Sequence, residues 1–208
     1  MTLPVLAELP AILLPLVTRS EQSFRTAVAA LEDDHGFSNW TPERWAQFAR
    51  VSAASDFVIE QSVRDPLMLL SLVQSGELDR PFAKGELCAQ IAAAVSLAQT
   101  EDELGRALRR QRTRHQVRII WRDLNRQADL VQTCRDLSDM ADASIDQAYQ
   151  WLYRRHCEQF GTPTGRRSGE PQQMVILGMG KLGAVELNLS SDIDLIFAYP
   201  EGGETVGV

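Results

Sequence analysis

Cysteine is scarce in this sequence. Cys88, Cys134 and Cys157 are odd in number, scattered, and without any C-x-x-C spacing. Neither a disulfide framework nor a zinc site is expected, and a reducing cytoplasm is the simplest setting. Positive charge is also in deficit. The 21 Lys and Arg stand against 28 Asp and Glu, a formal charge of −7. That balance argues against a general nucleic-acid binder and against an anionic membrane surface as partner. No apolar run approaches the roughly 20 residues a membrane span needs. The stretch from Met1 to Val17 is apolar but holds Pro4, Glu8, Pro10 and Pro15 and no positive leader, so no signal peptide is expected.

What is present is an ordinary globular composition. The 208 residues are 44% hydrophobic and 24% charged, enough for one large domain or two small ones with a sizeable core. Residues up to about 160 read as helices. Thr41-Pro42-Glu43 and Asp65-Pro66 each place a capping side chain before a proline at the first helical position, where its missing N–H costs nothing. Thr100 and Glu103 have capping-box spacing. The following helix carries Leu104, Leu108, Val117, Ile120, Trp121 and Leu124, and Ser138 to Leu152 continues with apolar residues at i, i+3, i+4 steps. No strand is expected before residue 170. The segments Gly161–Gly165 and Ser168–Pro171 break the helical pattern and read as a connector.

Beyond the connector the texture changes. Met174 to Leu177 is a short apolar run ended by glycine, and Ile193, Leu195, Ile196 and Phe197 suggest a second strand stopped by Pro200. Between them Gly178, Gly180 and Gly183 match a G-x-G-x-x-G dinucleotide fingerprint, with Glu201 about 20 residues on. The spacing defeats that reading. A parallel crossover needs a dozen or more residues, usually in a helix, and only 11 separate Gly180 from Asp192, with Asn188, Ser190 and Ser191 among them.

Metal-dependent nucleotidyl transfer accounts for the segment better. Asp192 and Asp194 are two apart on a predicted strand, so their side chains point to one face, about 7 Å apart along it, while Ile193 points into the core. Two such carboxylates can converge on magnesium, which prefers hard oxygen ligands shared with substrate phosphates. The turn around Gly180 lets backbone N–H groups approach a phosphate, and Lys181 adds charge to that contact. A bare Asp-x-Asp more often marks a solvated turn. The glycine turn after a strand, followed at this distance by Ser191-Asp192-Ile193-Asp194-Leu195-Ile196-Phe197, is far more specific.

That pattern resembles the polymerase-beta-like nucleotidyltransferase superfamily. The fuller string, Gly178-Met179-Gly180-Lys181-Leu182-Gly183 through Glu186-Leu187-Asn188 to Ser190-Ser191-Asp192-Ile193-Asp194-Leu195-Ile196-Phe197, resembles one family within it, the glutamine synthetase adenylyltransferase/adenylyl-removing enzymes. Ser55-Asp56-Phe57-Val58, Leu108 to Arg112, Val117 to Leu124 and Leu137 to Asp142 look like that family's helical amino-terminal region. The resemblance covers most of the chain from about residue 40.

It implies an α+β, predominantly helical protein: a helical region over 1–165, then the first strands of a nucleotidyltransferase domain over 166–208. It further implies the adenylyl-removing half, in which phosphate attacks the AMP phosphorus on a modified tyrosine of glutamine synthetase to give ADP. The intact protein would also adenylylate with ATP and answer to the P-II signal protein. Asp192 and Asp194 would hold Mg2+, with Gly180, Lys181 and Ser191 near the nucleotide phosphates. Where the family usually has another glycine, Ala184 stands here. The third metal-binding carboxylate of the superfamily is expected past residue 208, so the chain reads as a fragment, weakly active or inactive alone; Glu201 and Glu204 are poor substitutes. A nucleotidyltransferase for another acceptor and a non-catalytic helical interaction module are the alternatives.

Other features carry the plainer reading. Arg106, Arg109, Arg110, Arg112, Arg114, Arg118, Arg122 and Arg126 read as a solvated face paired with acidic neighbours. Asp139, Asp142 and Asp146 read as an exposed helix face. His156-Cys157 is filler, His35 and His115 carry no signal, and the four tryptophans are expected in the core.

Overall fold

The computed structural model describes residues 9–207. The reading of Pro4 and Glu8 in the first apolar stretch lies outside the described residues. Among those residues the structure is predominantly helical with four short strands, the α+β class expected. The helices are α1 (Leu14–Ala29), α2 (Pro42–Ala54), α3 (Asp56–Arg64), α4 (Pro66–Gln74), α5 (Glu86–Ser96), α6 (Glu101–Leu124), α7 (Leu130–Phe160) and the single turn α8 (Gly180–Gly183). The strands are β1 (Thr162–Gly165), β2 (Val175–Gly178), β3 (Leu195–Ala198) and β4 (Gly203–Val206). No helix among the described residues is long and apolar enough to cross a membrane. All three cysteines are free.

The helix starts follow from their caps. Thr41 Oγ1 accepts from Arg44 N at 3.2 Å, and Asp65 Oδ1 from Met68 N at 3.2 Å. Each satisfies one of the donors a helix start leaves without an intrahelical partner. Thr100 Oγ1 accepts from Glu103 N, while Glu103 reaches back to Gln99 N. α7 is twice as long as Ser138 to Leu152. Asp129 caps it by accepting from Gln132 N at 2.8 Å, and it ends at Gly161, whose φ of +86° turns the chain out of the helix.

The chain divides into two compact units. One takes the residues up to Phe82 with Thr113–Thr133. Its core is aromatic: Phe24 stacks on Phe48 at 5.2 Å between centroids, and Trp40 meets Trp45 at 5.0 Å, with Val51, Val58, Leu69 and Trp121 buried around them. Burying a side chain of that size contributes about 2–3 kcal/mol.

Arg106, Arg109, Arg110, Arg112 and Arg126 are exposed, as the reading of the arginine row expects, but two members of that row depart from it. Arg118 and Arg122 are 0% and 3% exposed, not a solvated face. Arg118 Nε donates to the Glu77 carbonyl at 3.0 Å and Nη2 to that of Arg80 at 2.7 Å, with its guanidinium 3.4 Å over the Phe82 ring. Arg122 donates to the carbonyls of Leu78 and Gln127. Arg114 pairs with Glu77 at 2.8 Å. These side chains lash the α4–α5 loop to α6 by satisfying its backbone acceptors, which helical spacing alone does not reveal.

The other unit takes Ala83–Arg112 and the described residues from Cys134 onward. Leu87, Ile91 and Val95 form the buried stripe of α5, and Trp151 of α7 donates to the Ala98 carbonyl at 3.1 Å. The strands nest. β1 pairs antiparallel with β4 (Thr162 opposite Val206), and β2 with β3 (Val175 opposite Ala198). β1 lies in the expected connector, before residue 170. Its two threonines suit a strand, but its partner is some 40 residues on, beyond the reach of local pattern. The texture boundary near residue 165 does not coincide with the limits of either unit.

Candidate functional site

The local structure is a strand, a glycine turn and an antiparallel strand. Val175, Ile176 and Leu177 supply the β-prone run of β2, and α8 follows at once. Gly183 is dictated by packing, because a Cβ there would lie 2.5 Å from the Gly178 carbonyl oxygen. Gly180 is dictated by conformation, at φ +55°, and a Cβ on it would meet nothing within 4 Å, so the turn faces open space. Leu182 and Leu187, 3% and 6% exposed, anchor the turn to the unit's interior. Ser138 of α7, fully buried, accepts from Leu187 N at 3.2 Å.

α8 ends against the usual rule. The Glu186 N–H bonds back to the Lys181 carbonyl at 2.8 Å and the Val185 N–H to that of Leu182, the bonds of a glycine-type helix stop. The left-handed residue is Val185, at φ +59°. A β-branched residue there carries backbone strain of about 1–2 kcal/mol.

The antiparallel pairing of β2 with β3 removes the dinucleotide-binding alternative, which requires parallel strands joined by a crossover helix. The sequence-derived residues gather around this turn. Lys181 Nζ donates to Ser191 Oγ at 3.3 Å, joining the glycine turn to the acidic segment. Met179 N donates to the Asp194 carbonyl at 2.9 Å, extending the β2–β3 ladder by one bond. Asp192 and Asp194 do not lie on a strand as expected: β3 begins at Leu195, so Asp194 immediately precedes it, Asp192 lies two residues further out, and strand alternation does not set the direction of either side chain. Both Asp side chains are exposed.

Ile193 does not enter the core. It is 40% exposed, and Val175, Leu177 and Ile196 of the β2–β3 pair are about half exposed as well. Asn188, which the sequence reading left without a role, accepts from Ser191 Oγ at 2.6 Å and from Ser190 N at 3.3 Å. Its position three residues before Ser191, in an Asn-Leu-Ser-Ser string rich in turn formers, is the signal that was there to be used.

The donor chemistry suits a hard divalent cation. Among the described residues neither the Asp192 nor the Asp194 carboxylate has a hydrogen-bond or ion-pair partner, and both residues are exposed. No group of three or more candidate ligands occurs among the described residues. Two carboxylates are nonetheless a set that magnesium uses when substrate phosphates and water complete its shell.

Glu201 is committed elsewhere. It accepts from Ser168 N and Arg167 N, each at 3.0 Å. Hydrogen bonding to Ser168 and to the Arg167 backbone holds its carboxyl down to about 2. On α7, Asp139 and Asp142 are exposed, and both are raised, first by partial burial and then by an acidic neighbour. Asp142 and Asp146 line a cavity of about 420 Å³ with Ile176, Gly178, Leu182 and Leu195.

A family model described as glutamate-ammonia ligase adenylyltransferase matches residues 45–208. The chain belongs to the glutamate-ammonia ligase adenylyltransferase family. It is 71% identical over 209 residues to a protein of Pseudomonas syringae pv. tomato named bifunctional glutamine synthetase adenylyltransferase/adenylyl-removing enzyme, covering 100% of this chain. Proteins of the same name from Pseudomonas aeruginosa and Thioalkalivibrio sulfidiphilus are 64% and 44% identical over 100% and 98% of this chain. The chain spans about a fifth of the length of these relatives, 21%, 21% and 20%.

Proposed function

We propose that residues 166–208 open a nucleotidyltransferase domain that follows the helical region, and that this domain removes AMP from a tyrosine of glutamine synthetase. The reaction is phosphorolysis. An oxygen of inorganic phosphate forms a bond to the AMP phosphorus, the bond from that phosphorus to the tyrosine oxygen breaks, and ADP and free tyrosine result. The juxtaposition of Lys181 and Ser191 beside Asp192 and Asp194, across one glycine turn, is the observation that carries this reading.

Each residue has a role its chemistry permits. Asp192 and Asp194 would hold Mg2+, which would supply positive charge against the phosphoryl oxygens. Gly180 leaves space for a phosphate to approach the backbone, and the Lys181 ammonium, tethered to Ser191, supplies a fixed positive charge beside it. Transfer of this kind is mostly positioning and neutralisation, so few groups are needed.

In a protein of the relatives' length, we infer that a further carboxylate completes the metal site, that a second domain adenylylates glutamine synthetase with ATP, and that the P-II signal protein regulates both in the cytoplasm. The test is phosphate-dependent ADP release from adenylylated glutamine synthetase by the full-length protein. Release that Asp192→Asn and Asp194→Asn abolish is expected. Silence there, with activity on another acceptor, would refute the assignment, and silence on every acceptor would favour a non-catalytic helical module.

A further inference from the structure

Resting on the phosphate-binding role just given to Lys181, we propose that Asn188 is a positioning residue that sets the Lys181 ammonium through Ser191. A hydroxyl has one proton to give, and Ser191 gives it to Asn188 Oδ1 at 2.6 Å. The Ser191 oxygen therefore turns its lone pairs outward, and Lys181 Nζ meets them at 3.3 Å. Asn188 holds the turn by two further bonds: its carbonyl accepts from Ser191 N at 3.2 Å and its side chain from the preceding Ser190 N at 3.3 Å. The residue before it, Leu187, is buried and tied to Ser138 of α7, so this scaffold is pinned to the unit.

An exposed lysine on four rotatable bonds otherwise samples many positions. Here its tether runs through a turn that begins four residues before Asp192. Without Asn188, the serine hydroxyl is free to rotate its proton toward Lys181, which turns the acceptor into a repelling dipole.

Lys181 is one of only two lysines in the sequence, the other being Lys84. Labelling with 13Cε-lysine therefore yields two side-chain signals on the full 208-residue chain, with Lys84 as internal reference. In the free protein the Lys181 signal is expected to differ from that of Lys84. Asn188→Ala and Ser191→Ala should each collapse the difference, while Asn188→Asp, which keeps the acceptor, should preserve it. The melting temperature and the Lys84 signal should stay unchanged, which a merely structural loss would not allow.

Inorganic phosphate is then titrated in. It should shift Lys181 and not Lys84, with its Kd weakened about three- to tenfold by Asn188→Ala, the scale of one ordinary hydrogen bond. An unaltered Lys181 signal in Asn188→Ala would overturn the positioning role. A Lys181 signal that responds to Asn188→Ala but not to phosphate would instead overturn the phosphate reading on which the role rests.

Discussion

Acidification should destabilise this protein through one buried histidine. His115 of α6 is 0% exposed, packs edge-on to Phe82 at 5.6 Å, and has no hydrogen-bond partner on either ring nitrogen among the described residues. Burial, reinforced by the charges of Arg114 and Arg118, lowers it from 6.5 to about 4. The folded state therefore holds a neutral imidazole that the unfolded chain protonates first. The associated stability is complete above the unfolded value and is lost as pH falls from 6.5 toward about 4.

At about 1.4 kcal/mol per pKa unit, the total is about 3 kcal/mol, of which about 2 kcal/mol is gone by pH 5. Urea unfolding followed by tryptophan fluorescence suits the measurement, because Trp40, Trp45 and Trp121 lie in the unit that holds His115. His115→Leu supplies the control, since all other titrations are common to both proteins. Between about pH 8 and pH 5 the wild type should lose about 2 kcal/mol more than the variant. Parallel curves, or a variant that loses more, would refute the reasoning.

Three further substitutions probe the packing. Gly183→Ala drives a methyl to 2.5 Å from the Gly178 oxygen, and should cost about 1–3 kcal/mol by denaturant unfolding while displacing the glycine turn. Val185→Gly relieves the φ of +59° and should stabilise the segment, seen as slower amide exchange at Glu186, by roughly 1 kcal/mol less the entropy that glycine adds to the unfolded chain. Arg118→Met keeps bulk but strands the carbonyls of Glu77 and Arg80, and should cost about 2–4 kcal/mol in the same unfolding assay.

What the sequence disclosed was local. Thr41, Asp65 and Thr100 announce helices because a cap and its target are three residues apart, and β2 and β3 stand out because each is an apolar run beside a glycine or a proline. What it concealed was contact between distant segments. β1 is a strand only because β4 lies beside it, and Arg118 is buried only because the α4–α5 loop turns its carbonyls toward α6. The residues read as chemistry came from a spaced pattern, so Lys181, Ser191, Asp192 and Asp194 were all nameable. Asn188 carries only a turn-former's signal three residues before Ser191; its part in the site lies in one 2.6 Å bond that only the fold shows.

On the reading proposed above, Asp192 and Asp194 together bind magnesium beside the glycine turn. Calorimetric titration of magnesium into the folded chain, with and without ADP, tests it most directly. We predict binding that ADP strengthens and that Asp192→Asn abolishes; no heat from a folded sample, or heat that survives the substitution, would contradict it.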